Sequence, residues 1–174
     1  MKISASTPLY ALLGHPVAQS LSPLLHNKWI EEHDCDGVYV ALDIQERNFE
    51  TSLLGLYQSG LKGANVTTPF KERAAISAKC LTERAHVTRS VNCLTAQTGG
   101  FGGDSTDGDG FIVDLDTRAP QWRSQDGPIV VLGAGGAARA LILALNSETQ
   151  AQIIVVNRNL DRALEAISMV PPSQ

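Results

Sequence analysis

PIVVLGAGGAARALILAL, residues 128–145, carries the fold in miniature. Its opening, Ile129 to Leu132, is an unbroken apolar run of strand length, the pattern of a strand buried in a parallel sheet. Gly133, Gly135 and Gly136 interrupt it, and the stretch that follows reads as a helix. Residues 151–159, AQIIVVNRN, are the next buried strand. Strand, glycine-rich turn, helix and second strand make a βαβ unit, which requires a parallel pair.

Upstream, the same alternation is repeated. Tyr10 to Leu13 reads as a first strand, GHPVAQS as a loop, and Ser22-Pro23 as an N-cap followed by proline at the first helical position. Leu24, Leu25, Trp29 and Ile30 are the expected buried side of that helix. GVYVALDI (37–44) is a second strand, Phe49 to Tyr57 a second helix, and GANVTT (63–68) a third strand ending at a further cap-and-proline start, Thr68-Pro69. That helix is expected to run through Lys79. SVNCLTA (90–96) leads to a turn at QTGG (97–100), and the glycines and aspartates of FGGDSTDGDG (101–110) argue against regular structure. Phe111 to Thr117 suits a connecting helix, and the polar RAPQWRSQDGP (118–128) suits a domain boundary. The class is α/β: a domain with a mainly parallel sheet over residues 1–108, a connection over 109–126, and the first βαβ unit of a Rossmann-type domain over 127–174.

Bulk properties narrow the function. The 174 residues suffice for one domain or two small ones, and 43% hydrophobic with 18% charged residues is too apolar for disorder. No apolar stretch nears the roughly 20 residues a membrane helix needs, and the first 16 residues make a poor signal peptide. The expected location is therefore the cytoplasm. A net charge of -4 argues against a nucleic-acid footprint. Cys35, Cys80 and Cys93 lie too far apart for a zinc motif and read as reduced thiols. Asp104, Asp107 and Asp109 resemble the start of a calcium loop, but the twelfth position holds Leu115 rather than Glu, so no metal site is expected.

Gly133, Gly135 and Gly136 follow a strand and open a helix, where backbone N–H groups and the helix dipole receive a pyrophosphate. Ala138 stands at the third glycine of the fingerprint, a position that needs only a small residue. After the next strand, a carboxylate would bond the ribose hydroxyls of NAD. Here Asn157, Arg158 and Arg162 stand instead, and guanidinium groups favour the extra phosphate of NADP.

In the first part, polar residues gather where strands end, the edge at which open α/β sheets bind ligands. Asn65 and Thr67 close the third strand, and Lys71 lies in a first helical turn, where the macrodipole disfavours a cation. Ser20 and Ser22 follow the first strand; Ser22 also fits a plain N-cap. Asp107 is structural by default, or a partner for a lysine such as Lys71 in an acid/base couple.

The motifs GHPVAQSLSPLLHN, GANVTTPFKE, SVNCL, STDGDG, GAGGAARA and NRNLDRA occur in the order seen in shikimate dehydrogenases, and the chain resembles that family from Tyr10 to Ala163. The resemblance implies reversible, NADPH-dependent reduction of 3-dehydroshikimate to shikimate, a step in making aromatic amino acids. It implies that Ser20 and Ser22 hold the substrate carboxylate, that Asn65, Thr67, Asn92 and Asp107 bond ring hydroxyls, and that Lys71 and Asp107 are the catalytic pair. Gly133, Ala134, Gly135, Gly136 and Ala137 would meet the pyrophosphate, and Asn157, Arg158 and Arg162 the adenosine end. Ser105 and Asn159 depart from residues common in the family, an Asn and a Thr. The family's second nucleotide-binding half and closing helices do not follow Ala163, so a truncated product with weak or no turnover is expected. A non-catalytic shikimate-binding module, or a quinate/shikimate dehydrogenase using NAD, are the alternatives; a homodimer is left open.

Overall fold

The computed structural model describes residues 3–170. Two compact units emerge, one running through Leu81 and taking in Val91–Gly103, the other made of Thr82–Ser90 and the chain from Asp104 onward.

The first unit holds β1 (Leu9–Gly14), α1 (Ser22–Glu32), β2 (Val38–Asp43), α2 (Phe49–Gln58), β3 (Gly63–Val66), α3 (Lys71–Ser77), β4 (Cys80–Leu81), β5 (Cys93–Gln97) and β6 (Gly100–Asp104), the last residue of which opens the second unit. The strands lie in the order β2-β1-β3-β5-β6-β4. β1 runs parallel to β2 and β3, and β4 parallel to β6, while β5 opposes β3 with Asn65 across from Cys93. The sheet is thus mainly parallel. Phe49 and Phe70, both fully buried, stack with ring centroids 4.4 Å apart. Each such ring contributes roughly 1.5–3 kcal/mol by leaving water. The Arg73 guanidinium covers both rings at 5.3 and 5.5 Å and is held by Glu50.

Several expectations need correction. Leu24, Leu25 and Trp29 are exposed, at 69%, 47% and 49%. The reason is Asn27, whose amide donates to the Tyr39 carbonyl (2.8 Å) and accepts from the Tyr39 N–H (2.9 Å). That pair of hydrogen bonds holds α1 with His26, Asn27 and Ile30 facing the sheet. Ser22 is the first helical residue rather than the cap, which is Leu21. Thr68-Pro69 forms a cis turn, with Phe70 N–H donating to the Thr67 carbonyl at 3.0 Å, and the helix begins only at Lys71. It ends at Ser77, short of Lys79. The glycine-rich 100–104 is a strand, not a break. A Cβ added to Gly103 would come 2.7 Å from the fully buried Val91 and 3.0 Å from Leu81, so this glycine is there because the strand is crowded, whereas one at Gly102 would meet only the flexible end of the exposed Gln97 side chain.

The second unit holds α4 (Glu83–Thr88), α5 (Asp107–Arg118), β7 (Ile129–Leu132), α6 (Gly136–Glu148), β8 (Ile153–Val156) and α7 (Leu160–Ser168). β7 and β8 are parallel and joined through α6, the βαβ unit expected. Val131, Ala134, Ile142, Leu145 and Ala166 form its core. Burial is one-sided, however: Val130, Leu132, Ile154 and Val156 are exposed. α5 starts at Asp107, four residues before the expected connecting helix, and α4 had no counterpart in the sequence reading. Residues 118–128 do not separate anything within this unit. Trp122 packs on the core, and Arg123 binds both Asp116 and Glu148. No helix among the described residues is long and apolar enough to cross a membrane.

Candidate functional site

In the first unit the polar edge is built from backbone geometry. β1 and β3 run side by side with Leu13 opposite Val66, so the loop after each strand starts at the same end of the sheet. Thr67 N–H donates to the Leu13 carbonyl (2.9 Å) and His15 N–H to the Thr68 carbonyl (3.1 Å), which ties the two loops together. His15 also pairs with Asp43 at the end of β2. β5 reverses direction, so its beginning reaches this end too: Val66 N–H donates to the Asn92 carbonyl at 2.8 Å. Lys71 follows, with its carbonyl accepting from Val91 N–H at 2.9 Å.

The side chains on this edge are partly ordered by one another. Ser20 Oγ donates to Ser22 Oγ (3.1 Å) and accepts from Ser22 N–H (3.2 Å), which sets two hydroxyls side by side at the start of α1. Asn65 Oδ1 accepts from the Tyr39 hydroxyl at 2.8 Å, and Asn65 Nδ2 donates to the Asn92 carbonyl at 3.4 Å. Ser20, Ser22, Asn65, Thr67, Lys71 and Asn92 are all half-buried, accessible to a small ligand without being free in solvent. Tyr39 is 4% exposed, and burial, reinforced by Cys93 nearby, pushes its hydroxyl well above the usual range; it stays a protonated donor. Its ring stacks on His26 at 4.1 Å and 6°. Burial also lowers His26, which favours the neutral imidazole.

Tyr39, His26 and Asn27 were not singled out from sequence. A tyrosine within a strand reads as core, and only the His-Asn pair ending SPLLHN hinted that α1 has a polar inner face.

In the second unit Asp107 is the first residue of α5, where a carboxylate suits the helix dipole. Asp104 and Asp109 both bind Arg84. Gly133 has φ of +112°, a conformation costly for other residues, and its N–H donates to the Val156 carbonyl at 2.8 Å. Gly135 caps α6 in extended conformation and, being glycine, makes no side-chain cap bond to the helix's first N–H groups. A Cβ added at Gly133 or Gly135 would meet nothing within 4 Å, so the turn stands open above a 13-residue helix. An uncapped helix start, open space and a helix dipole fit a pyrophosphate. Ala134 is buried and Ala137 exposed. Asn157 donates to the Asn159 carbonyl (2.8 Å), Asn159 caps α7 through Arg162 N–H, and the side chains of Arg158 and Arg162 are exposed.

These features define a class: an α/β ligand-binding unit with a polar edge at its strand ends, followed by the opening of a dinucleotide-binding unit. Residues 12–94 match the family model of the shikimate dehydrogenase substrate binding domain. The chain is 43% identical over 162 residues to a shikimate dehydrogenase (NADP(+)) of Rhodospirillum rubrum, covering 92% of this chain and 57% of that one. A crystal structure of shikimate dehydrogenase from Aquifex aeolicus superposes with a TM-score of 0.89 at 34% identity, covering 98% of this chain and 63% of that one. A Thermus thermophilus shikimate 5-dehydrogenase in complex with NADP(H) and shikimate gives 0.81 at 33% identity, covering 93% and 60%. Residues 12–94 thus carry the shikimate dehydrogenase substrate binding domain, and the chain as a whole is similar to the amino-terminal part of shikimate dehydrogenases. It spans a little over half the length of the curated relatives it matches.

Proposed function

We propose that the chain serves NADP-dependent shikimate dehydrogenase chemistry, the reversible reduction of 3-dehydroshikimate to shikimate, with residues 1–108 binding substrate and 127–174 beginning the nucleotide domain. The observation that supports this most is the hydrogen-bonded edge of Ser20, Ser22, Asn65 and Asn92 beside Lys71, in a chain whose Thermus thermophilus relative was solved with NADP(H) and shikimate.

The paired hydroxyls of Ser20 and Ser22 hold the substrate carboxylate, and Asn65, Thr67, Asn92 and Asp107 bond ring hydroxyls. Fixing a small polyol in this way converts a chance encounter into a near-attack geometry. Lys71 and Asp107 manage the proton on the oxygen that changes between ketone and alcohol, a task worth about 10²- to 10⁴-fold in rate. The nicotinamide cofactor supplies the hydride when bound. Gly133, Ala134, Gly135, Gly136 and Ala137 hold its pyrophosphate, Asn157 its adenosine end, and Arg158 and Arg162 the 2′-phosphate. A homodimer in the cytoplasm completes the reading, with sedimentation to check the assembly.

Titration calorimetry with shikimate tests the proposal. Binding is expected, with Lys71→Ala weakening it and Arg158→Ala leaving it unchanged; a folded chain giving no heat with shikimate would falsify the assignment. Turnover of NADP that vanishes in Lys71→Ala separates an enzyme from a shikimate-binding module. A preference for NAD over NADP would overturn the cofactor assignment in favour of a quinate/shikimate dehydrogenase.

A further inference from the structure

We propose that Tyr39 is a positioning residue whose hydroxyl locks the side-chain amide of Asn65, so that the amide nitrogen keeps one N–H for the ligand. The inference rests on Asn65 being a substrate contact.

A primary amide can be turned over with little change in shape, and the two orientations offer a ligand opposite chemistry. At Asn65 the neighbours decide between them. The Asn92 carbonyl, 3.4 Å away, can only accept, and it already takes Val66 N–H at 2.8 Å. The amide nitrogen must therefore face it, since the reverse orientation would set oxygen against oxygen. Oδ1 is then turned to Tyr39, 2.8 Å away, and the hydroxyl must donate. Of the two amide hydrogens one is spent on Asn92, and the second is the donor left over.

Tyr39 is itself held on three sides. It stands on β2, with β1 lying between β2 and β3 in the sheet, so its ring spans a strand to reach Asn65. His26 stacks on the ring in parallel, and Asn27 takes both the N–H and the carbonyl of Tyr39. Both come from α1, the helix that begins with Ser22. One short helix therefore carries a carboxylate-binding hydroxyl at its start and, a turn later, the two residues that aim Tyr39. A phenylalanine would fill the same space in the core; only the hydroxyl reaches Asn65.

The test compares wild type with Tyr39→Phe, Asn65→Ala and the double variant, each confirmed folded by thermal denaturation. Tyr39→Phe is expected to raise the Kd for shikimate about tenfold. In the Asn65→Ala background it is expected to add nothing. An unchanged Kd, or an equal loss in both backgrounds as packing alone would give, overturns the proposal. The ¹⁵N side-chain amide signals of Asn65 give a second, ligand-free readout. Two well-separated protons are expected in wild type, converging in Tyr39→Phe; signals indifferent to the substitution overturn the lock. Should wild type bind no shikimate, the substrate role of Asn65 falls, and the amide signals alone judge Tyr39.

Discussion

Asp104 shows how a single residue ties sequence to pH response. Its carboxylate accepts from Arg84 Nε and Nη2 at 2.7 and 2.6 Å, from Thr82 Oγ1 at 2.6 Å and from Ser105 N–H at 2.7 Å. Arg84 first, then Thr82 and Ser105, hold the group well below the usual carboxylate range. A depressed value means stabilisation that is complete above the unfolded value near 4 and is lost as pH falls below it toward the folded value. We expect urea denaturation to show stability declining below about pH 4, with a shallower decline in Asp104→Asn. At neutral pH the same variant should lose roughly 2 kcal/mol, since charge-assisted bonds to a partly buried group are broken. Equal pH slopes in the two proteins would remove Asp104 from the explanation. In the sequence this aspartate resembles only a metal ligand. Nothing in the local pattern says that Arg84, twenty positions away, will reach it.

At the scale of elements, α5 contains a matched pair of glycines with opposite roles. A Cβ on Gly108 would lie 2.6 Å from the Ala140 carbonyl oxygen and 2.8 Å from the Ala144 Cβ, whereas one on Gly110 would meet nothing within 4 Å. Alanine normally improves a helix by about 1 kcal/mol over glycine. We predict that Gly110→Ala raises the denaturation midpoint, while Gly108→Ala lowers stability by about 1–3 kcal/mol because α5 and α6 must part. Both variants moving in the same direction would contradict the close approach. The strands are the legible part of this chain: apolar runs and their bounding glycines give β1, β2, β3 and β7 within a residue or two, and β8 within three. β6 is illegible, because GFGGD looks like a loop until Val91 and Leu81 are seen to fill the space a side chain at Gly103 would occupy. The inner face of α1 was misread for a related reason. Its orientation is set by hydrogen bonds from Asn27, and hydrophobic spacing cannot register them. Motifs point to candidate site residues in the sequence, but Tyr39 reaches across β1 to Asn65 and carries no local mark.

For the molecule as a whole, the largest anomaly is an apolar face in the second unit. Val130 pairs in register with Ile154 and Leu132 with Val156, and all four side chains are exposed, with Leu132 at 79%. Leu160 and Leu164 of α7 are exposed as well. Such a face beside an unpaired strand edge favours association. Sedimentation velocity is expected to show concentration-dependent self-association that Leu132→Lys reduces, with the circular dichroism spectrum unaltered. Identical sedimentation of the two proteins would mean the face is inert.

The reversal of β5 has a practical corollary. Because that strand starts beside Asn65 and runs away from it, its turn into β6 falls at the amino end of β3, where Ala96 N–H meets the Lys62 carbonyl. Thr98 is exposed there, as far along the sheet from the polar edge as the strand allows. A cysteine introduced at that position would carry a fluorescent dye that reports on the unit without obstructing what enters the opposite end.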